Sequence, residues 1–365
     1  MDYNLYGKTG KLVSAIGFGG MRFPKTNDKY DYDYCAEMIH EANRLGINYF
    51  DTAPFYNDDK SEEIFGQAFN NMPSDFYVST KCAALKGTDL RASLERSLKR
   101  LNVNKIDFFH VWCVMNMDNY TERMAPGGPY EELLKAKQEG LVDHICISTH
   151  CTGDEITHIA NENKFDGILL GYNVTNYKFR QAGIRAAYEN NTAVVTMNPL
   201  GGGLIPENPD YFSYIKSEND ASVLDAAIRF NASHKEITVV LTGMDSIEHV
   251  QKNCAMNNFD EHYVTDTISR ISDFTSETHD KLCTGCRYCE HCPEEIPVSK
   301  FMLAYNKSIL KDDDAFKSNL KYHWRIPPEL AAKCVACGIC ESKCTQHLPI
   351  IDRLNYITKL YSDDK

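Results

Sequence analysis

The chain has 365 residues, 43% of them hydrophobic and 25% charged, a composition that excludes a fibrous or wholly disordered protein. Single hydrophobic cores stop growing at roughly 250–300 residues, so this length reads as a barrel-sized domain with a smaller partner. Against 39 Lys and Arg stand 51 Asp and Glu, a formal charge of −12 that repels phosphate backbones and argues against nucleic acid as a partner.

The opening run MDYNLYGKTGKLVSAIGFGG has neither the basic start nor the unbroken apolar core of a signal peptide, and no stretch approaches the ~20 apolar residues that span a bilayer. The expectation is a cytoplasmic protein with no membrane association. YGKTG at 6–10 then reads as a hairpin turn. Strands are predicted at Val13–Phe18, Asn48–Asp51, Phe76–Thr80, Lys105–Trp112, His144–Ser148, Gly167–Leu170, Ala193–Met197 and Thr238–Leu241, where β-rich apolar runs are short. Between and after them, segments such as YCAEMIHEANRLG, LRASLERSLKRLN and SVLDAAIRFNAS carry the helical period. Eight strand–helix repeats within ~250 residues predict an α/β fold, a (β/α)8 TIM barrel, with an open doubly wound sheet as the alternative. After residue 260 the rhythm changes. HYVTDTISRISDFTSETHDKL reads as a helix or two, and VSKFMLAYNKSILKDDDAFKSNLKYHW as a charged helical stretch. The boundary is set at 275/276, giving a barrel over 1–275 and an α-helical, cysteine-rich domain over 276–365.

Six of the 14 cysteines, Cys35, Cys82, Cys113, Cys146, Cys151 and Cys254, are scattered and read as plain thiols. The other eight form two runs: Cys283-x-x-Cys286-x-x-Cys289-x-x-Cys292 before Pro293, and Cys334-x-x-Cys337-x-x-Cys340-x-x-x-Cys344. Three thiolates two residues apart wrap three corners of an iron–sulfur cubane, and the fourth cysteine of each run reaches the other cluster. The expected ligands are Cys283, Cys286, Cys289 and Cys344 for one [4Fe–4S] cluster and Cys334, Cys337, Cys340 and Cys292 for the other. Zinc is the competing reading, since paired C-x-x-C motifs make tetrahedral sites, but it leaves the central cysteines of each run unused. The segment resembles the two-cluster bacterial ferredoxin domain, with two departures: Cys292 follows a two-residue gap, and Thr345 stands where proline often follows the last ligand.

In the barrel, NYFDTAPFY sets Asp51 and Tyr56 across the end of the second strand, and STK presents Lys81 at the end of the third. Catalytic groups of this architecture gather at the carboxyl ends of strands, where a tyrosine, a lysine and an aspartate form a proton-transfer relay. The lysine charge is expected to lower the phenol's pKa, and the aspartate to hold the lysine. Singly, each has a plain structural reading: Asp51 a cap, Tyr56 a rim aromatic, Lys81 a solvated strand end.

GFGGMRFP at 17–24, GINYFDTAPFY at 46–56, STK at 79–81, VDHICIST at 142–149, GYN at 171–173, NPLGGG at 198–203 and LTGMDSIEHVQKN at 241–253 together resemble the aldo-keto reductases. With the cysteine-rich tail, the chain resembles the ferredoxin-containing branch of that family. The resemblance implies a TIM barrel that moves hydride between NAD(P)H and a small carbonyl or alcohol. Tyr56 would be the general acid, Lys81 its modulator and Asp51 the partner of Lys81. The family's fourth catalytic residue, a histidine, corresponds here to Trp112, which would form an aromatic floor for substrate. His110 lies two residues earlier, on the same inward face but one layer deeper, and is either catalytic or a core residue.

Ser148 matches the nicotinamide-amide contact, Thr149 stands where asparagine is usual and Leu169 where glutamine is. Asn173 closes the GYN motif. Asn198, Leu200 and Gly201 would line a pyrophosphate, and Gly243 and Ser246 lead into a helix N-terminus suited to phosphate. His249 takes the place of the adenine-stacking arginine, and Asn253 keeps the adenine contact. NADPH and NADH both remain open.

A hydride carries two electrons and a cubane passes one, a mismatch that a flavin near NPLGGG and LTGMDS would resolve. Three readings follow. The first is an oxidoreductase acting on a small carbonyl or alcohol, with clusters as electron carriers. The second is an electron-transfer module whose barrel binds a redox protein partner or a flavin. The third is a reductase whose clusters are structural staples or redox sensors. The Cys113–Tyr130 segment reads as a cover for the site or an ordinary connector.

Overall fold

The structure is a computed structural model that describes residues 1–274 and 281–362; the expected 275/276 boundary lies outside them. The chain divides into two compact units, Met1–Pro199 with Ile215–Asp273, and Leu200–Tyr214 with Phe274–Lys365.

In the first unit eight parallel strands close into a barrel: β1 (Ile16–Gly19), β2 (Tyr49–Asp51), β3 (Tyr77–Cys82), β4 (Ile106–Val114), β5 (Val142–Thr149), β6 (Gly167–Gly171), β7 (Ala193–Met197) and β8 (Val239–Gly243), each paired with its sequence neighbours and β8 with β1. Closure removes the open-sheet alternative, because no strand edge is left unpaired. The predicted run Val13–Phe18 splits in two: Leu12–Ser14 pairs antiparallel with Tyr3–Leu5 as a hairpin, and the barrel strand begins only at Ile16. The break falls at Ala15, whose N–H donates to the carbonyl of Asp2 on the hairpin side.

Side chains fill the barrel. Tyr49, Phe108, Cys146, Leu169, Val195, Val239 and Leu241 form one buried cluster with Tyr6 and Val13 from the hairpin. Tyr6 is fully buried, its ring 4.0 Å from that of Phe108 and its hydroxyl 3.5 Å from the Cys146 sulfur. Gly167 must be glycine, since a Cβ there would sit 2.2 Å from the Tyr6 hydroxyl. Leu169, at the position where the family uses a glutamine, belongs to this core.

Helices follow the strands where short polar side chains cap them. Asp31, Thr152, Ser222 and Ser246 each accept a backbone N–H three residues on, and Thr152 forms a capping box with Glu155. At the carboxyl ends of β5 and β6, fully buried Arg180 donates to the carbonyls of Gly171, His150 and Cys151. This ties together two strand ends that border the mouth.

The second unit is built differently. Its longer helices are Val298–Leu310 and Ile350–Ser362; seven of the eight run cysteines lie in irregular backbone, and Cys340 sits in the short helix Ile339–Ser342. The predicted helix over 298–324 breaks at Lys311, because Asp312 caps a new short helix, Asp313–Ser318, by accepting from the Ala315 N–H at 2.7 Å. The core of this unit joins Ile296, Val298, Phe301, Met302, Phe316, Leu354 and Ile357 to Cys283, Cys289, Cys340 and Cys344.

Candidate active site

Strand register brings the predicted relay together. Asp51 on β2 lies opposite Ser79 on β3, and Lys81 lies opposite His110 on β4. Ser79 and Lys81 are two residues apart and therefore share a face. Lys81, 1% exposed, donates to both carboxylate oxygens of Asp51, at 2.9 and 2.7 Å, and to the carbonyl of Thr52 at 2.8 Å. An ammonium has three protons, and all three are committed here. Burial pulls the Lys81 pKa down while the Asp51 charge opposes it.

Tyr56 stands over this pair, with the Lys81 ammonium 5.0 Å from its ring centroid. The expectation that lysine lowers the phenol's pKa is not met. Burial, followed by the Asp51 charge and Cys113, raises it well above 10. Lys81 stacks against the ring with its donors already engaged, so it gives the phenolate nothing to offset desolvation. The Tyr56 loop is sharply turned: Phe55, Asn57, Asp58 and Asp59 all adopt positive φ. It is anchored by Arg100, whose guanidinium grips Asp59 with two 2.7 Å bonds.

Trp112 meets Tyr56 edge to face, ring centroids 5.9 Å apart. The register between β4 and β5 shifts between Val111 and Val114, and Cys113 takes a φ of 62°. An irregularity of this kind re-aims side chains at a strand end. His110 is fully buried and does not reach Tyr56. Its Nε2 lies 3.1 Å from the Ser79 hydroxyl, which donates to Asp51 at 2.8 Å. Burial, with the Lys81 charge behind it, lowers the His110 pKa to about 3, so the ring is neutral. Ser79 is thus the link the sequence reading missed. Its signal was available, since period-two alternation puts it on the same face as Lys81.

The cofactor candidates divide into open and engaged groups. The Ser148 hydroxyl, at the end of β5, is buried without a hydrogen-bond partner, which fits a ligand amide. Thr149 is occupied, donating to the Val114 carbonyl and accepting from the Cys151 N–H. Asn173 spans the ends of β6 and β7: its amide donates to the Asn198 carbonyl, and its oxygen accepts from Thr175. Gly243 is exposed at the end of β8 beside the stem of Arg22, whose Cγ lies 2.6 Å from where a Cβ would be. Arg22, in the GFGGMRFP motif, brings to this turn a cation that the sequence reading did not assign to it. Ser246 spends its hydroxyl capping the next helix, His249 pairs with Asp245 at 2.6 Å, and Asn253 is half-buried on that helix. Leu200 and Gly201 fall in the second unit. There the adjacent Gly202 packs on the backbone of Thr284, whose oxygen lies 2.1 Å from where a Cβ would be. That close approach explains a glycine in this loop without any phosphate.

In the second unit, Cys292, Cys334, Cys337 and Cys340 line one cavity together with Pro293, Ile296, Val335, Ile339 and Leu354. Cys283 lies within electrostatic reach of Cys286, Cys289 and Cys344, and burial first, then these neighbours, pushes its thiol up to about 12. Among the described residues no three Cys, His, Asp or Glu side chains are gathered as a site for a single metal ion. A cubane asks for a wider arrangement, since each thiolate meets a different iron. Arg353 is 4% exposed beside Cys283 and Cys344, with its Nη1 buried and unpartnered.

The Aldo/keto reductase family model matches residues 15–275, and the chain belongs to that family. It is similar to L-galactose dehydrogenase of Arabidopsis thaliana, 29% identical over 286 residues that cover 70% of this chain and 88% of that protein. Pyridoxine 4-dehydrogenase of Escherichia coli is 23% identical over 296 residues, covering 76% of this chain and all of the relative. Among solved structures, an aldo-keto reductase from Bacillus halodurans in its holo form has a TM-score of 0.63 at 20% identity, covering 74% of this chain and 96% of that one. The protein is an oxidoreductase of the aldo-keto reductase type, a family in which NAD(P)H dependence is typical. No helix among the described residues is long and apolar enough to cross a membrane.

Proposed function

We propose that the barrel interconverts a small organic carbonyl and its alcohol, and that the cysteine-rich unit carries two [4Fe–4S] clusters that exchange electrons with this chemistry. The observation that carries the barrel reading is the buried Lys81–Asp51 pair under the Tyr56 ring. The raised Tyr56 pKa keeps the phenol protonated at neutral pH, as a proton donor to a nascent alkoxide requires. Lys81 and Asp51 fix the floor beneath it, and Trp112 closes one side against water. Neutral His110 acts through Ser79 to orient Asp51. Ser148 would hold a nicotinamide amide, and the turn from Gly243 to Ser246 with Arg22 would hold phosphate. When bound, the nicotinamide supplies hydride and the clusters supply or accept single electrons.

Support for the clusters comes from the donor set: four thiols around one cavity, and a second four of which Cys283 and Cys344 lie near a buried Arg353 that has no acid partner among the described residues. The test is anaerobic purification with iron, acid-labile sulfide and flavin assays, followed by NAD(P)H titration. Eight irons per chain and cluster bleaching by NAD(P)H are the expected results. Colourless, metal-free protein ends the cluster reading. Full loading without bleaching leaves a reductase whose clusters are staples or sensors. Bleaching that persists in Tyr56→Phe separates electron flow from proton donation and favours the electron-transfer module.

A further inference from the structure

The two cysteine sets sit in unequal surroundings. Around Cys283, Cys286, Cys289 and Cys344 the chain supplies a cation and directed donors. Arg353 donates from Nη2 to the Lys281 carbonyl at 2.5 Å and lies against the Tyr305 ring at 4.8 Å. It makes no ion pair among the described residues, its Nη1 finds no acceptor, and the Cys283 and Cys344 sulfurs are within its electrostatic reach. A buried guanidinium without an acid is costly unless negative charge arrives from elsewhere.

Thr345 lies with its Oγ1 3.4 Å from the Cys286 sulfur, and the Gln346 amide donates to that same oxygen at 3.3 Å. A Cys286 thiolate has no proton to give, so in that state the Thr345 hydroxyl is the donor in this contact. The Leu348 N–H adds a donor to Cys344 at 3.4 Å. The cavity of Cys292, Cys334, Cys337 and Cys340 is lined by Ile296, Val298, Val335, Ile339, Ile351 and Leu354, with no cationic side chain; Cys340 accepts from the Glu341 backbone N–H, but the charge beside it is the Glu341 carboxylate rather than a cation.

We propose that Arg353 and Thr345 bias the cluster held by Cys283, Cys286, Cys289 and Cys344 to the higher potential, making it the site where a single electron rests. This rests on the cluster reading above. Reduction adds one electron, hence one negative charge, and takes up no proton. A nearby cation and hydrogen bonds to sulfur favour the reduced form, and apolar walls disfavour it.

The test is an electron-paramagnetic-resonance potentiometric titration of the anaerobic full chain, with iron counted in every sample. The second cluster's signal is assigned from its alteration in Cys337→Ser. Arg353→Gln and Thr345→Val are expected to lower the midpoint of the first cluster alone, the arginine change by the equivalent of a tenfold loss in the reduction equilibrium, about 59 mV for one electron. Arg353→Lys and Thr345→Ser are expected to recover most of the shift. Eight irons with unmoved midpoints, or both midpoints falling together, overturn the assignment. If Arg353→Gln fails to hold iron, Thr345→Val, which removes no charge and little volume, decides the matter. Wild-type protein without eight irons removes the underlying reading instead, a result the iron count reports separately from the potentials.

Discussion

The barrel and the cysteine-rich unit hold their functional groups by opposite means. In the barrel, Asp51, Ser79, Lys81 and His110 are aligned by strand register, and each is hydrogen-bonded to another of the four, although the His110 Nδ1 is buried without a partner. In the second unit no strand among the described residues supports the cysteines, and four of them are themselves part of the hydrophobic cluster. A site built on backbone register is formed before any ligand arrives. A site whose ligands are also the core takes its stability from what they bind, as small metal-holding lobes do.

The largest expected effect tests that contrast directly. The chain has two tryptophans, Trp112 in the barrel and Trp324 in the second unit, so Trp324→Phe and Trp112→Phe give each unit its own fluorescent reporter. Oxidative iron removal with a chelator is expected to unfold the second unit by Trp324 emission and expose it to protease while Trp112 emission holds. A second unit that stays native after losing metal breaks the comparison.

Next, Tyr56→Phe is expected to lower carbonyl turnover by about 10²–10⁴-fold with unchanged stability. Lys81→Met leaves Asp51 buried and unpaired, and urea denaturation read by Trp112 should record a loss of about 3–5 kcal/mol, partly recovered in Lys81→Met with Asp51→Leu. In the other unit, Gly202→Ala places a Cβ on the Thr284 backbone at a φ of 70° and is expected to cost about 1–3 kcal/mol by Trp324 emission. Gly140→Ala, at a φ of 77° with open space around it, should cost less.

Much of the barrel was legible because its signals are local. Short β-rich apolar runs marked all eight strands, and Asp51, Tyr56 and Lys81 lie at strand ends within recognisable motifs. What escaped was set by contacts distant in sequence. The Thr52 carbonyl that takes the third Lys81 proton, the stem of Arg22 across Gly243, and the shift between β4 and β5 that accompanies Trp112 all depend on how strands align. The assignment of Leu200–Tyr214 to the second unit had no local signal either, since NPLGGG reads equally as a phosphate loop and as a close-packing turn. In the cysteine runs the spacing alone points to the proposed ligands, but Arg353 lies on a helix with nothing in its neighbours to mark it as the counter-charge we propose for them.

The smallest expected effect lies in the barrel network and asks how rigid a register-built site is toward protons. His110 is neutral in the folded chain, with a pKa near 3 against 6.5 for an ordinary histidine. Between those values the unfolded chain binds a proton that the folded chain refuses. The stability tied to neutral His110 is therefore fully present above pH 6.5 and drains away as the pH falls toward 3. From pH 7 to pH 6 the loss is about 0.7 kcal/mol, growing toward about 1.4 kcal/mol for each further unit. His110→Asn keeps a hydrogen-bonding side chain beside Ser79 but cannot take the proton, so its urea midpoint should fall less over the same interval. Reading Trp112 in the Trp324→Phe background keeps acid damage to the second unit out of the measurement. Parallel slopes in the two proteins would mean that His110 can be charged in place, and that the barrel site is as yielding as the cysteine-rich unit is expected to be.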